Sequence, residues 1–341
     1  MRGRDVQMQA AAINIRHSTA QEMPLRDAVG RGCSQTRNGQ AIASYRTDRK
    51  RKANMFDLTR ILLPINFSER SADAADAAAA IAEHFHAEIT LLHVLSARFD
   101  APLAIPGQRT VIHGFDREEA EEKMKHFRCG ELRRFEVRHV LREGDPARTI
   151  ADFAESEHID LIMMPTHGYG PFRRLLLGSV TAKVLHDVKC PVWTAVHSQE
   201  KSSLIPGKPR RIACAVDLGP HTRDVLHWAS RLSWEFGAPL SIIHVAPLDP
   251  RTEDYYLSPE WRSEVIGGAK ADLGQLLEAS GIKGDIHIEV GAVPDAVIDR
   301  TRESQVDLLV IGRSGHGGVT GRLPTKAYAI IRDAPCPVLG V

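Results

Sequence analysis

No uninterrupted apolar run in the 341 residues approaches the ~18 that a membrane-spanning helix needs. Excess charge is missing too: 44 Lys and Arg stand against 43 Asp and Glu, a formal net charge of +1. A dedicated nucleic-acid binder normally carries a basic face, so that class is disfavoured. Cysteine is scarce, and its five copies (Cys33, Cys129, Cys190, Cys214, Cys336) form no Cys-x-x-Cys pair. An odd, unpaired set fits a reducing cytoplasm better than a disulfide scaffold or a zinc site. What is present is ordinary for a globular chain, 43% hydrophobic and 26% charged. The length points to two domains, since single cores usually stop growing earlier.

The near-neutral total hides an asymmetry. Residues 1–54 hold eleven Arg or Lys against four acids, about +7, which leaves −6 for the remainder. This segment lacks strong hydrophobic periodicity, and its apolar stretch Ala10–Ile15 is too short for a signal peptide. A disordered extension is expected, or a chain whose translation starts at Met55; a basic nucleic-acid arm or a targeting leader is the alternative.

From Arg60 onward strands alternate with helices. Ile61–Ile65, Glu88–Val94, Phe135–Leu141, Asp160–Met164 and Cys190–Val196 have the short apolar character of buried parallel strands. An alanine-rich helix capped by Ser68 or Ser71 and reaching about His84 is expected, with others over Arg117–Phe127, Ala147–Glu155 and Ser179–His186. Residues 95–115 look like loop. Strands separated by helices of this length imply right-handed βαβ units and a parallel sheet. After a polar linker, residues 198–209, the pattern repeats. Asn66 is answered by Asp217, His93 by His244, Gly144 by Gly291, Gly168 by Gly315 and Cys190 by Cys336, at offsets of 146 to 151 residues. Two copies follow, over residues 55–197 and 210–341.

The most informative stretch runs from Met164 to Thr181. A strand leads into Gly168 and Gly170, then Arg173 and Arg174, then Gly178-Ser179-Val180 at a helix start. Free N–H groups, a hydroxyl and a helix dipole at that point favour an anion such as phosphate. The stretch resembles the phosphate loop of the universal stress protein family, Gly-x2-Gly-x9-Gly-Ser/Thr, with Pro165 in place of the first glycine. With the repeat, the resemblance covers residues 56–341. It implies an α/β fold: two tandem, doubly wound, five-stranded parallel-sheet domains, Rossmann-like and similar to the adenine nucleotide alpha hydrolases.

The resemblance also implies an adenine nucleotide site at the carboxyl ends of the strands. In the first copy it would use Pro64, Asn66, Val94, Met164, Pro165, Gly168, Gly178, Ser179 and Val180. Asn66 stands where the family has Asp, and an amide donates as well as accepts. In the second copy the corresponding, weaker set is Asp217, Val245, Gly312, Gly315, Thr325 and Lys326. There Pro324 replaces Gly178, removing an N–H expected to face phosphate. The implied ligand is ATP, or AMP or ADP, with or without Mg²⁺. The implied protein is a cytoplasmic, non-enzymatic stress-response module with protein partners that the sequence does not name, without membrane or nucleic acid. Its two copies would pair through Val192–Val196 and Pro337–Val341, and whole chains could dimerise further. A degenerate module that binds no nucleotide is the alternative, and a slow ATPase a third.

Other residues invite bland readings. His93 and His244 recur without a nucleophile and read as backbone-capping histidines. His167 and His316, in or beside the glycine loops, could touch phosphate or simply be exposed. His84 and His86 lie two apart, the wrong spacing for one metal-binding helix face. Cys190 and Cys336 read as small buried hydrophobes.

Overall fold

The computed structural model describes residues 58–96, 103–105, 108–110, 117–127, 130–166, 177–195, 208–247, 259–313 and 324–341. The N-terminal extension, Met55, linker residues 198–207, Gly168, Gly315, His167, His316, Arg173 and Arg174 lie outside them.

The first copy contributes β1 (Arg60–Pro64), α1 (Glu69–Phe85), β2 (Glu88–Leu95), a small hairpin of β3 (Leu103–Ile105) and β4 (Gln108–Thr110), and α2 (Arg117–His126). A 3₁₀ turn at Gly130–Arg134 then leads to β5 (Val137–Glu143), α3 (Pro146–Ser156), β6 (Leu161–Pro165), α4 (Ser179–Asp187) and β7 (Val192–Ala195). The second contributes β8 (Ile212–Val216), α5 (Thr222–Phe236), β9 (Leu240–Pro247), α6 (Pro259–Ser280), β10 (Asp285–Gly291), α7 (Val293–Glu303), β11 (Leu308–Ile311), α8 (Thr325–Asp333) and β12 (Val338–Gly340). The hairpin corrects the expectation of plain loop over 95–115, and the third strand starts two residues later than expected, at Val137.

Each copy orders its strands 3-2-1-4-5, all parallel. The two halves join edge to edge. β7 and β12 pair antiparallel, Trp193 opposite Leu339, so the chain builds one ten-stranded sheet. Both faces are covered, which is why β6 and β11 are buried at every position and read as unbroken apolar runs. Alternation assigns the faces. Ile61 and Leu63 pack with the alanines of α1, while Leu62, Ile162 and Met164 pack with Val184 and Leu185 of α4. Each such Leu or Ile contributes about 1.5–3 kcal/mol by leaving water. Both clusters cross between the copies, the first reaching Ile212 and Cys214, the second Ile330 and Val338. Phe85 meets its counterpart Phe236 edge-on, 5.9 Å between centroids, across the same junction.

Local chemistry fixes the element ends. Ser68 caps α1, its hydroxyl accepting from Ser71 N at 3.3 Å, and Asp145 caps α3 ahead of Pro146. Gly144 and Gly291 have φ of 143° and 152° at equivalent strand ends, a conformation that favours glycine. Asp160 and Asp307 tie the starts of β1 and β8, each accepting two backbone N–H bonds at 2.8–2.9 Å. Among the described residues no helix is long and apolar enough to cross a membrane.

Candidate functional site

In an open α/β sheet a ligand crevice forms where the strand order reverses, outside the carboxyl ends of the strands. Here those points lie between β1 and β6 and between β8 and β11. The first gathers Pro64 and Asn66 on one side, Met164 and Pro165 on the other, and the start of α4 beyond. Pro64 and Met164 are buried, so neither side chain is exposed at the strand ends. Val94, near the end of β2, is half-buried, and its counterpart Val245 is buried.

The loop after β6 is closed at its base. Gly178 N donates to Thr166 O at 2.9 Å, and Thr181 Oγ1 donates to Pro165 O at 3.0 Å. This corrects one expectation: the N–H that a proline would remove at this position closes the loop and does not face a phosphate. Gly178 is the N-cap of α4, and as glycine it supplies no side-chain cap. The first-turn N–H groups, from Ser179 onward, have no partner within the helix, and among the described residues no side chain is recorded accepting from them. Ser179 is exposed beside them. The φ, ψ of Gly178 (−56°, 138°) are open to any residue, so the missing side chain matters here for access. In the second copy Pro324 caps α8 with nearly the same angles (−52°, 136°), again without a side-chain cap, and Thr325 and Lys326 are exposed.

The opposite side of each crevice is an Asx turn. Asn66 Oδ1 accepts from Ser68 N (3.2 Å), Ser68 Oγ (2.7 Å) and Ser71 Oγ (2.7 Å). The backbone donor makes this atom the oxygen, which leaves only the amide nitrogen free to meet a ligand. Asp217 builds the same turn with one oxygen, Oδ1, which accepts from Gly219 N at 2.8 Å. Its Oδ2 keeps its acceptor capacity. A Cβ on Gly219 would stand 2.9 Å from Asp217 Oδ1, so a side chain there would require the carboxylate to shift.

The recurring histidines are structural. His93 Nδ1 lies 2.8 Å from Ile65 O and His244 Nδ1 2.9 Å from Val216 O, so each ring donates to the carbonyl at the end of its first strand. Burial, outweighing that bond, and then Lys123 hold the His93 imidazole below its ordinary value. Burial pushes the Cys190 thiol up to about 11 and that of Cys336 to about 12, which keeps both protonated.

The model of the universal stress protein family matches residues 58–195 and again 208–341. The chain belongs to that family. Among its relatives, universal stress protein MJ0531 of Methanocaldococcus jannaschii is 34% identical over 134 residues, 39% of this chain and 79% of the relative. A universal stress protein of Mycolicibacterium smegmatis is 25% identical over 299 residues, 82% of this chain and 96% of the relative. The crystal structure of a universal stress protein from Archaeoglobus fulgidus shares the fold, with a TM-score of 0.59 at 24% identity over 83% of this chain and 96% of that one.

Two residues that hold α4 of this universal stress protein were not singled out by its motifs. Tyr328, in α8, accepts a hydrogen bond from Leu177 N at 3.0 Å. Arg313, one residue beyond Gly312, donates to Leu185 O (2.7 Å), Val188 O (3.0 Å) and Cys190 O (3.0 Å) at the end of α4, with Lys189 O at 3.5 Å. The signal was present in the repeat: the first copy has Ala182 and Thr166 at these positions, so each marks a place where the copies differ.

Proposed function

We propose that the chain is a stress-response protein whose first copy binds an adenine nucleotide, ATP or its mono- or diphosphate, with or without Mg²⁺. The observation that carries this reading is the α4 start at the strand-order switch point, where the N-cap Gly178 has no side chain and Ser179 is exposed. The residues present fit the phosphate half of such a ligand, and family membership supports the choice of nucleotide. In this reading Gly178 admits the phosphate, and the Ser179 hydroxyl with the Val180 N–H donates to it. Pro64, Asn66, Val94, Met164 and Pro165 bound the adenosine half, with Gly168 in the loop. The second copy is the weaker site, with Asp217, Val245, Gly312, Gly315, Thr325 and Lys326 in the corresponding roles.

The protein acts without catalysis in the cytoplasm: occupancy alters its contacts with protein partners. The β7–β12 pairing favours an internal dimer of residues 55–197 and 210–341, which whole chains extend by further association. Denaturing the purified protein and chromatographing the supernatant tests the reading. A stoichiometric adenine nucleotide is expected. A nucleotide-free supernatant together with a flat ATP titration refutes it. It would favour the second reading, an interaction module without ligand, for which the consumed Asn66 oxygen is the supporting observation. Turnover of ATP with added divalent metal would overturn the non-enzymatic role.

A further inference from the structure

The nine-residue α4 carries the phosphate-facing turn, yet both its ends are held by the other copy. At the entrance, the consecutive N–H groups of Leu177 and Gly178 are fixed by different copies, the first by the Tyr328 hydroxyl and the second by Thr166 O. At the exit, the Arg313 guanidinium gathers the carbonyls of Leu185, Val188 and Cys190. Leu177 is buried, and Tyr328 and Arg313 are half-buried, so these bonds are shielded from competing water. We propose that Tyr328, backed by Arg313, is a positioning residue for the first site: the second copy sets the angle at which the α4 N–H groups meet phosphate. The inference rests on the nucleotide reading above and adds to it a dependence between the copies.

The grip is one-sided in construction. The Ala182 side chain offers no polar atom to α8, and Thr166 carries no guanidinium. Both gripping residues also border the second copy's own crevice: Arg313 follows Gly312, and Tyr328 lies one turn inside the helix that begins with Thr325 and Lys326. A ligand that shifts either residue there changes the first site, and linkage makes the effect on affinity mutual.

The experiment is calorimetric titration of the full chain, parent and Tyr328→Phe, with ATP and with adenosine. Phenylalanine keeps the ring and removes only the hydroxyl that accepts from Leu177 N. ATP affinity should fall about 3- to 10-fold, the worth of one neutral hydrogen bond. Adenosine affinity should stay within error, because adenosine does not use the α4 turn. That split separates positioning from a general loss of structure. ATP binding unchanged in the variant, or ATP and adenosine weakened together, overturns the inference while leaving the nucleotide reading intact. A parent that binds no ATP refutes that reading and this inference with it, and is recognised before any variant is compared.

Discussion

Arg313→Met should unfasten the two copies without emptying the space between them. The guanidinium has three carbonyl acceptors at 2.7–3.0 Å and a fourth at 3.5 Å. No carboxylate pairs with it among the described residues, so the partial charge at the α4 carbonyl end is its counterpart. Burial accordingly pulls its pKa down. Gly340 makes room for the stem, since a Cβ there would meet Arg313 Cγ at 2.7 Å. Methionine fills much of that stem's volume but leaves the carbonyls without donors. Three bonds from a charged donor at about 1.5 kcal/mol each, offset in part by relief of the buried charge, give a net loss of about 2–4 kcal/mol. A domain of this size loses about 2–4 °C per kcal/mol, so the melting temperature should drop on the order of 5–10 °C. Differential scanning calorimetry reads this directly, and Arg313→Lys, which keeps the charge but not the fan of donors, should fall between. A melting temperature within about 1 °C of the parent would refute the clasp.

Asn66→Asp should tighten adenine nucleotide binding at the first site about 10-fold, because the free amide donor becomes an acceptor for ligand hydroxyls; titration showing weaker or equal binding contradicts this. Gly178→Val should abolish most ATP binding by placing a side chain where the phosphate approaches, while Ser179→Ala should cost about 1–3 kcal/mol for one bond to a charged group. Equal affinities in these two variants and the parent would remove the phosphate from α4. His93 titrates below its unfolded value, so the folded state binds fewer protons, and its contribution, complete above about pH 6.5, is lost as pH falls below that value. His93→Asn keeps a donor for Ile65 O and should flatten melting temperature against pH on that acidic side; an unchanged slope shows that other groups set it.

The alternation of strand and helix was legible because buried parallel strands leave apolar runs such as Leu161–Pro165 and Leu308–Ile311, and because the landmarks recur in register. The hairpin at 103–110 was not, since its residues carry no alternation that separates them from loop. The turns after β1 and β8 hid for a different reason. Phe67 and Leu218 adopt φ of 61° and 58°, positions at which sequence reading expects glycine or asparagine. The preceding Asn66 and Asp217 hold them there by accepting the N–H two residues on, a local bond that overrides the intrinsic cost. Tyr328 and Arg313 stood out in the sequence only as places where the copies differ, because their partners are backbone atoms of the other copy, 151 and 123–128 residues away, and no motif encodes such a meeting.

The contrast between the two crevices is chemical, since the local backbone repeats. Gly178 and Pro324 differ by 4° in φ and 2° in ψ, and Phe67 and Leu218 by 3° in φ. The fold therefore tolerates either residue at each place, and the copies diverge in which atoms they offer. The first offers a closed loop base, an open helix start and, at Asn66, a donor. The second offers, among the described residues, an Asp217 Oδ2 without a recorded donor but, with proline at its N-cap, lacks the N–H that would close its loop onto Arg313. The Arg313 side chain is committed instead to the first copy's α4. A residue that follows Gly312 in the second copy thus fastens the helix of the first, which is the dependence between the copies proposed above.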